Sequence, residues 1–290
     1  MRTYSNETMK LLYERGSIRV FEDRPIPPEV MEEVLDAGLH AATGGNLQPY
    51  AIIQIESEEK KKALMDTGHM QPLVGKAPTN LLFCIDWRRI GRWAESSNAP
   101  FIATKSYRHF WIAFQDTIIA AQNICTAADS VGLGSVYIGT VESCFLELKS
   151  IFNLPEGVFP VVIVSMGYPA QPIKIAPKLG TDIMVHKEAY QDIPIERLME
   201  AQEEKYGHKT FPTSIQNMTS IKEVAFDLGG ESYEKELEDA IMEVGHINMA
   251  QRYFGLHYKA NWSAADNMDL IHALKAYGFP WITGESFPKK

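Results

Sequence analysis

Two short polar clusters between residues 15 and 49 contain side chains that could bind a phosphate group and a polar ring. Residues 15–19 read RGSIR, and residues 43–49 read TGGNLQP. Guanidinium groups match phosphate oxygens with paired hydrogen bonds, so two arginines beside a serine suit a phosphate. The amides and the glycine backbone of the second cluster suit the edge of a polar heterocycle. The amphipathic helix between the clusters would then separate a phosphate site from a ring site, as in a mononucleotide site.

Each cluster also has a structural interpretation. Arg15 and Arg19 could be surface side chains that pair with Glu14, Glu22 or Asp23. The glycines of the second cluster could simply end the preceding helix, because glycine readily adopts the left-handed conformation found after helices. The second interpretation is compatible with binding, since such a turn can also face a ligand.

Two further groups of residues could bind a ligand or could be ordinary surface and packing. The segment 87–93, WRRIGRW, is basic and aromatic, and it suits a nicotinamide phosphate, an acidic substrate or a solvated loop. His246 and His257 stand among aromatic residues that could line a substrate pocket or pack against a core. The glycines at 132, 134 and 139 do not form a dinucleotide fingerprint, because they follow a predicted helix and not a strand.

The composition narrows the class of protein. A net charge of −9 and a pI near 5.4 argue against general nucleic-acid binding and against a polybasic membrane surface. Three cysteines without paired spacing indicate reduced thiols in a cytoplasmic protein. The histidines show no metal-ligand spacing. The N-terminus lacks a signal-peptide core, and no apolar run approaches the ~18 residues of a membrane span.

The hydrophobic periodicity of the first 170 residues predicts a mixed α/β core. We expect strands at 50–56, 81–86, 135–138 and 159–166, because these runs are short and apolar. The segments before and between these strands predict helices at 6–14, 28–41, 58–67, 110–131 and 142–152, and residues 88–104 are less regular. The helix 110–131 is apolar on most faces, which predicts burial in a core or between subunits.

The last third of the chain is predicted to be helical. Helices are expected at 195–206, near 231–259 and at 263–277, joined by a polar connection at 207–230 that could be a linker, a lid or a subunit-wrapping arm. We therefore predict two parts. Residues 1–190 form the core, and residues 191–290 form an extension that acts as a lid, a substrate cap or a dimer-wrapping arm.

Four dispersed motifs, in order, resemble the nitroreductase family of flavoproteins. GSIRVF at 16–21 resembles an opening R-S-x-R-x-F segment, and residues 25–50 resemble a segment that ends in APSxxNxQPW, here with Thr43 and Tyr50 as replacements. AAQNICTAADSVGLGSVYIGTV at 120–141 resembles the helix and glycine turn behind the flavin. LPEGVFPVVIVSMGYP at 154–169 resembles the last core strand. The match covers roughly residues 9–187.

The resemblance implies a three-layer α/β/α fold of the α+β type, with a mostly antiparallel central sheet and a helical C-terminal extension. It also implies a homodimer that binds FMN in two clefts between the subunits. Arg15, Ser17 and Arg19 would contact the FMN phosphate and ribityl chain. The other implied contacts are Thr43 and Asn46 by the ring or ribityl group, Gln48 and Pro49 near the dimer-related cleft, Ile138 and Gly139 along the ring face, and Lys178 at the phosphate.

The chemistry implied by the resemblance is centred on the flavin and needs no catalytic side-chain constellation. NADH or NADPH would pass a hydride to flavin N5 and leave, and a nitroaromatic, a quinone or a related small acceptor would then be reduced, in a ping-pong sequence. Dehalogenase and flavin-fragmenting activities share the scaffold. A flavin-binding or flavin-sensing protein with little turnover, its cleft covered by residues 191–290, is an alternative of a different class.

Overall fold

The structure, a computed structural model, describes residues 3–284, without the side chains of residues 263–265. The chain divides into two compact units. The first holds the chain up to Ile175 and again from Asp269, and the second is Ala176–Met268. The predicted division at residue 190 into a core and an extension stays a prediction. The role predicted for residues 191–290 stays a prediction.

The first unit contains the predicted alternation of helices and strands. In chain order its elements are α1 (Glu7–Glu14), α2 (Pro28–Leu39), β1 (Tyr50–Ile55), α3 (Glu58–Asp66), α4 (Pro72–Lys76), β2 (Thr79–Asp86), α5 (Trp87–Ser96), α6 (Tyr107–Ser130), β3 (Gly134–Ile138), α7 (Phe145–Ile151) and β4 (Val158–Gly167).

The four strands form one sheet in the order β1-β2-β4-β3, and every neighbouring pair is antiparallel. Tyr50 lies opposite Ile85 in the first pair, and Ile138 lies opposite Ile163 in the last. The register shifts between Phe83 and Cys84 in the central pair. The prediction of a mostly antiparallel central sheet is confirmed. Because β1 and β3 are its edges, segments that adjoin them can form a site without interrupting the central strands.

Alternate residues of the strands face two different cores, which gives the predicted three layers. On one face Leu81, Phe83 and Val164 pack with α2 and α6. On the other face Leu82 and Ile163 pack with α3, α4 and α7. Because both faces are covered, the strands read as continuous apolar runs and not as alternating ones.

Helices α2 and α6 approach closely because Gly38 has no side chain. A Cβ atom at Gly38 would lie 1.9 Å from Cγ1 of Ile124. The Asn123 amide also donates a hydrogen bond of 2.8 Å to the carbonyl of Ala37. This contact fixes the C-terminal end of α2, and therefore the start of the polar segment that follows it.

The chain after Asp269 completes the core of the first unit. Tyr277 and Phe279 are fully buried, and their rings lie 5.2 and 6.1 Å from the ring of Phe159. The Tyr277 hydroxyl donates a hydrogen bond of 2.6 Å to the carbonyl of Phe145. The segment is therefore part of the core and not an appendage to it.

The second unit is helical, with the short apolar core of Ile221, Ile241 and Ile247. Its longest helical run, Ile215–Val244, consists of two helices that meet at Gly230, where φ is 69° and ψ is −167°. The described helices from residue 176 onward, of which the last crosses into the first unit, are α8 (Thr181–Met184), α9 (Ile195–Tyr206), α10 (Ile215–Val244), α11 (Met249–Arg252), α12 (Ala260–Ala265) and α13 (Asn267–Ala276).

Four predictions about secondary structure differ from the structure. Residues 88–104 are irregular only after Ser96, because α5 runs over Trp87–Ser96 and is capped by the Asp86 side chain, which accepts from the backbone N–H of Arg89 at 2.8 Å. The connection 207–230 is helical from Ile215 up to Gly230, where the backbone leaves helical values and the chain folds back, so that Lys222 pairs with Glu238 at 2.6 Å. The helix expected at 231–259 ends at Gly245, and the one expected at 263–277 is two helices.

Candidate cofactor-binding site

The first polar cluster runs along the edge strand β3. The backbone N–H of Ile18 donates to the carbonyl of Ser135 at 3.0 Å. The Ile18 side chain is buried against Gly134, where a Cβ atom would lie only 2.3 Å from Ile18 Cγ1. Since neighbours of a buried residue in an extended segment point the other way, Ser17 and Arg19 are exposed. The buried isoleucine is therefore what presents the two polar side chains.

Arg15 ends α1 and forms an ion pair with Asp129 of α6. Its Nε lies 2.8 Å from Asp129 Oδ2, and the two side chains are 24% and 6% exposed. Burial opposes the charge of Arg15, but the hydrogen bond and the charge of Asp129 outweigh this effect and raise the pKa of Arg15. Within residues 3–284 this is its one ion pair. The surface pairing that we considered for Arg15 is not formed.

Arg19 forms no ion pair with any residue that the structure describes. Of its possible acidic partners, Glu22 is bound instead to Arg24, with Nε 2.6 Å from the carboxylate. An exposed, unpaired guanidinium beside the Ser17 hydroxyl is available to an anion. This half of the predicted phosphate cluster is therefore open, whereas Arg15 is held in place.

The second polar cluster is a turn with an unusual backbone. Gly45, Asn46 and Gln48 all have positive φ, of 61°, 56° and 48°. Such a conformation costs a residue other than glycine on the order of 1 kcal/mol, so neighbouring groups must maintain it. Two internal hydrogen bonds do so in part. The Thr43 hydroxyl accepts from the Gln48 N–H at 3.3 Å, and the Gln48 amide donates to Leu39 O at 3.1 Å.

Two side chains from distant parts of the sequence also hold this turn. Asp116 of α6 accepts from the Gly44 N–H at 3.0 and 3.1 Å. Arg89 of α5 donates through Nη2 to the carbonyls of Gln48 and Tyr50. The sequence singled out Arg89 only as part of the basic, aromatic segment 87–93, and it did not single out Asp116. A carboxylate in a largely apolar helix was the available signal for Asp116.

Asp116 is a buried carboxylate, with 5% of the residue exposed. Burial raises its pKa, and the hydrogen bond from the Gly44 N–H offsets part of that effect. A buried acceptor aimed at one backbone N–H fixes the start of the turn. Gly45 and Asn46 stay exposed at the tip.

The end of β3 provides an open backbone surface. The Ile138 side chain is fully buried, so only its backbone can meet a ligand. Gly139 is exposed, and a Cβ atom there would have no atom within 4 Å. Pro49 is buried, and its carbonyl accepts from the Asp86 N–H at 2.8 Å. Of these three predicted contacts, Gly139 presents the most accessible surface.

The structure brings some predicted residues together and separates others. Strand β3 leads from Ser135, beside Ile18, to Gly139, a distance of roughly 13 Å for four residues. The second cluster meets α6 at Asp116, whereas Arg15 meets it at Asp129, and 13 helical positions separate these residues by about 20 Å. Residues 15–19 and 139 therefore share one edge strand, and residues 43–49 lie elsewhere on the unit.

The predicted lysine contact lies in the other unit. Lys178 is exposed and belongs to the second unit. Lys174, in the first unit, is the basic residue of this segment whose backbone packs beside the first cluster. A Cβ atom at Gly16 would lie 2.9 Å from the Lys174 carbonyl, so glycine at position 16 permits this close approach.

The residues present fit a bound mononucleotide such as FMN. Arg19 is exposed and unpaired among the described residues, the tip of the 43–49 turn is exposed, and the surface at Gly139 is open. The first feature suits a phosphate, and the other two suit a flat ring approached by backbone groups. These features are compatible with a mononucleotide-type site on an antiparallel α+β fold, and the residues that would form it stay a prediction.

Comparison with known proteins identifies the family. A family model described as "Nitroreductase family" matches residues 12–168, more than half of the chain. A Cr(VI) reductase of Pseudomonas sp. (strain G-1) is 30% identical over 215 residues, covering 72% of this chain and 88% of that protein. An FMN reductase [NAD(P)H] of Bacillus subtilis (strain 168) is 31% identical over 186 residues, covering 64% and 75%.

A solved structure supports the same assignment. The NADPH:FMN oxidoreductase from Vibrio harveyi complexed with NAD+ aligns with a TM-score of 0.63 and 27% identity, covering 83% of this chain and 98% of that one. The chain belongs to the nitroreductase family, and it is an oxidoreductase of that family. The predicted family, fold and enzyme class are confirmed, and the predicted cofactors, FMN with NADH or NADPH, agree with the names of these relatives.

Two other observations concern the rest of the described chain. Within residues 3–284, no helix combines the length and the apolar character needed to cross a bilayer. In the second unit the ring of His257 lies 4.4 Å from that of Tyr258, and Phe254 and Trp262 are more than half exposed. This group packs partly on itself, and its role as a pocket lining stays a prediction.

Proposed function

We propose that this protein is an FMN-dependent oxidoreductase that takes a hydride from NADH or NADPH and reduces a nitroaromatic, a quinone or a related small acceptor. The observation that carries the proposal is the pairing, along one edge strand, of the exposed Ser17 and Arg19 with the open backbone at Gly139. A mononucleotide lying along β3 would have its phosphate at the first and its ring at the second.

The residues then have distinct roles. Arg19 and Ser17 bind the phosphate directly. Arg15, whose Nε is bound to Asp129, contributes its two terminal nitrogens as further donors. The backbone at Ile138 and Gly139 borders the ring. Lys178 would add a charge at the phosphate. Lys174, whose backbone packs beside Gly16, is the alternative.

The spacing of the two polar clusters supports a homodimer. The turn at 43–49 and the ion pair of Arg15 contact α6 at points about 20 Å apart. A site shared between subunits would use residues 15–19 from one chain and Thr43, Asn46, Gln48 and Pro49 from its partner. Helix α6 also exposes Trp111, Phe114 and Ile119 by 49%, 37% and 46%, which is the apolar surface a dimer would cover.

The bound flavin supplies the chemistry, by accepting a hydride and later passing the electrons on. The chain's own residues bind the phosphate, orient the ring and provide N–H donors toward it. Because both the nicotinamide and the acceptor need the same exposed ring face, they would occupy it in turn. This shared face supports a ping-pong order.

The test begins with purified protein incubated with FMN and freed of unbound ligand. We expect about one FMN per chain, and we expect the double variant Arg15→Ala/Arg19→Ala to lose most of it. The variant Arg88→Ala/Arg92→Ala removes the same charge from the exposed face of α5 and should retain FMN. Equal retention by both double variants would refute the phosphate role of residues 15–19.

A flavin-binding or flavin-sensing protein with little turnover is the second candidate, and dehalogenase or flavin-fragmenting chemistry is a third. The helical second unit supports the sensing role, because it supplies enough chain for a lid, a substrate cap or a dimer-wrapping arm. Anaerobic addition of NADH or NADPH separates the candidates, since only a reductase bleaches the flavin.

A cytoplasmic location is also part of the proposal. Cys84, Cys125 and Cys144 are all buried as free thiols, which suits a reducing compartment. Recovery of the protein with cytoplasmic markers on cell fractionation would support it, and recovery with periplasmic or secreted markers would contradict it.

A further inference from the structure

The guanidinium of Arg89 holds the turn of the second polar cluster from outside. Its Nη2 donates to the carbonyl of Gln48 and, at 3.2 Å, to the carbonyl of Tyr50. The Gln48 carbonyl also accepts from the Tyr50 N–H at 2.8 Å. Two carbonyls on either side of Pro49 are thus tied to one charged donor, at the point where the turn joins β1.

Arg89 is itself fixed by the residue that starts its helix. The Asp86 side chain accepts from the Arg89 N–H at 2.8 Å, and Oδ2 lies 3.5 Å from Arg89 Nε. The Asp86 N–H in turn donates to the Pro49 carbonyl at 2.8 Å. The end of β2 and the start of α5 therefore contact three consecutive carbonyls of the turn, those of residues 48, 49 and 50.

The turn needs such support because of its backbone. Gln48 has a φ of 48°, which a residue with a long side chain rarely adopts. Asp116 fixes the start of the turn at Gly44, and Arg89 fixes its end at Gln48. Between these points Gly45 and Asn46 are exposed. The two charged side chains together therefore set where the Asn46 amide lies.

We propose that Arg89 is a positioning residue for the flavin ring, acting through the 43–50 turn and not by touching the cofactor. The proposal rests on the proposed function, because that function gives the turn its ligand. Arg89 fixes the Gln48 carbonyl and thereby the orientation of the Asn46 and Gly45 groups at the ring. Its loss leaves the phosphate contacts of residues 15–19 in place and loosens the ring contacts.

The same helix offers matched controls. Arg88 and Arg92 are exposed, and within residues 3–284 neither forms an ion pair or a side-chain hydrogen bond. With Trp93 they line an open hollow of about 530 Å³. Replacing Arg92 removes the same charge from the same helix without touching the turn. Because the Arg89 side chain is 56% exposed, Arg89→Ala creates no core cavity and should fold.

The experiment compares Arg89→Ala, Arg89→Lys and Arg92→Ala with the natural protein. Without flavin, amide hydrogen exchange over residues 43–50 should speed up by about tenfold in Arg89→Ala, since two hydrogen bonds to a charged donor are lost. It should stay unchanged in Arg92→Ala. With flavin, Arg89→Ala should shift the visible spectrum and the midpoint potential of bound FMN and weaken its affinity about tenfold. Arg89→Lys should restore part of each effect.

The outcomes separate the two proposals. Wild-type exchange rates over residues 43–50 in Arg89→Ala would overturn the fixing of the turn, whatever the flavin does. Faster exchange with an unchanged FMN spectrum and potential would overturn the link from the turn to the ring. Failure of the natural protein to bind FMN would refute the proposed function and with it the ring role. Equal effects of Arg89→Ala and Arg92→Ala would show that the loss of a positive charge on α5, and not the support of the turn, causes them, and would overturn the proposal.

Discussion

Arg15 and Asp129 join the end of the first helix to the last turn of the long helix α6, with Nε 2.8 Å from Oδ2. The carboxylate is almost wholly buried, at 6% exposure, whereas the arginine reaches solvent. The pair therefore orients a guanidinium at the surface from a partner inside. Because Arg15 contacts Asp129 through Nε, the two terminal nitrogens of its guanidinium remain available to an anion.

Replacing Asp129 with asparagine should destabilise the protein by about 1–3 kcal/mol. The change leaves a partly buried arginine without its counter-charge, and breaking buried pairs is costly. Chemical denaturation would measure the loss. The control is Asp23→Asn. It removes the charge of an exposed carboxylate near the same segment and should change stability by less than about 0.5 kcal/mol. Equal stability of the two variants would contradict the account of the ion pair.

Asp116→Asn should change the pH dependence of stability in a defined direction. Because burial raises the pKa of Asp116, its ionised form costs free energy in the folded state. The stability it contributes is complete below the ordinary aspartate pKa of about 4 and is lost as the pH rises through the raised value. The natural protein should therefore lose stability relative to Asp116→Asn as the pH rises above about 4. A difference that is flat or grows in the opposite direction would be incompatible with this assignment.

Gly139→Leu should separate folding from flavin binding. The new side chain meets open space in the flavin-free protein, so the free energy of unfolding should change by less than about 1 kcal/mol. If the ring lies against this backbone, overlap should weaken FMN affinity about tenfold. Gly38→Ala is the opposite case, because its Cβ atom would lie 1.9 Å from Ile124, and it should lower stability with less effect on FMN affinity. Normal FMN affinity in Gly139→Leu would place the ring elsewhere.

Tyr277→Phe tests whether the returning chain is part of the core. The change removes one hydroxyl and leaves the Phe145 carbonyl without its 2.6 Å hydrogen bond. Loss of this partly buried hydrogen bond should cost about 0.5–1.5 kcal/mol, which a shift in the denaturation midpoint would reveal. Tyr190→Phe, at a side chain that is 77% exposed, should have almost no effect. A Tyr277→Phe variant as stable as that control would show that this segment does not contribute to the core.

Much of the first unit could be predicted from the sequence because its strands are short apolar runs with glycine or proline at their ends. The run at Phe159–Met166 lies within β4, and the glycines after residue 131 mark the end of α6. Helix α5 was missed because its exposed arginines obscure the apolar stripe of Trp87, Ile90 and Ala94. The helix from Ile215 was missed because its sequence is polar and resembles a connection, whereas the break that the consecutive glycines suggest is present at Gly230.

The site was less predictable than the fold, because its supporting contacts join residues far apart in the sequence. Local composition identified residues 15–19 and 43–49 as polar clusters. It could not reveal that Arg15 pairs with Asp129, or that Arg89 and Asp116 hold the second turn. These partners lie 41 to 114 positions away. The sequence pattern therefore located the ligand-facing groups but not the groups that orient them.

The central claim, that this chain is an FMN-dependent NAD(P)H oxidoreductase, is tested most directly by an anaerobic titration of the FMN-loaded protein with NADH and with NADPH. We predict that at least one of the nucleotides bleaches the flavin absorbance stoichiometrically, and that a quinone or a nitroaromatic added afterwards restores it. Protein that retains FMN but is bleached by neither nucleotide would contradict the reductase function, and protein that retains no FMN would contradict the cofactor site as well.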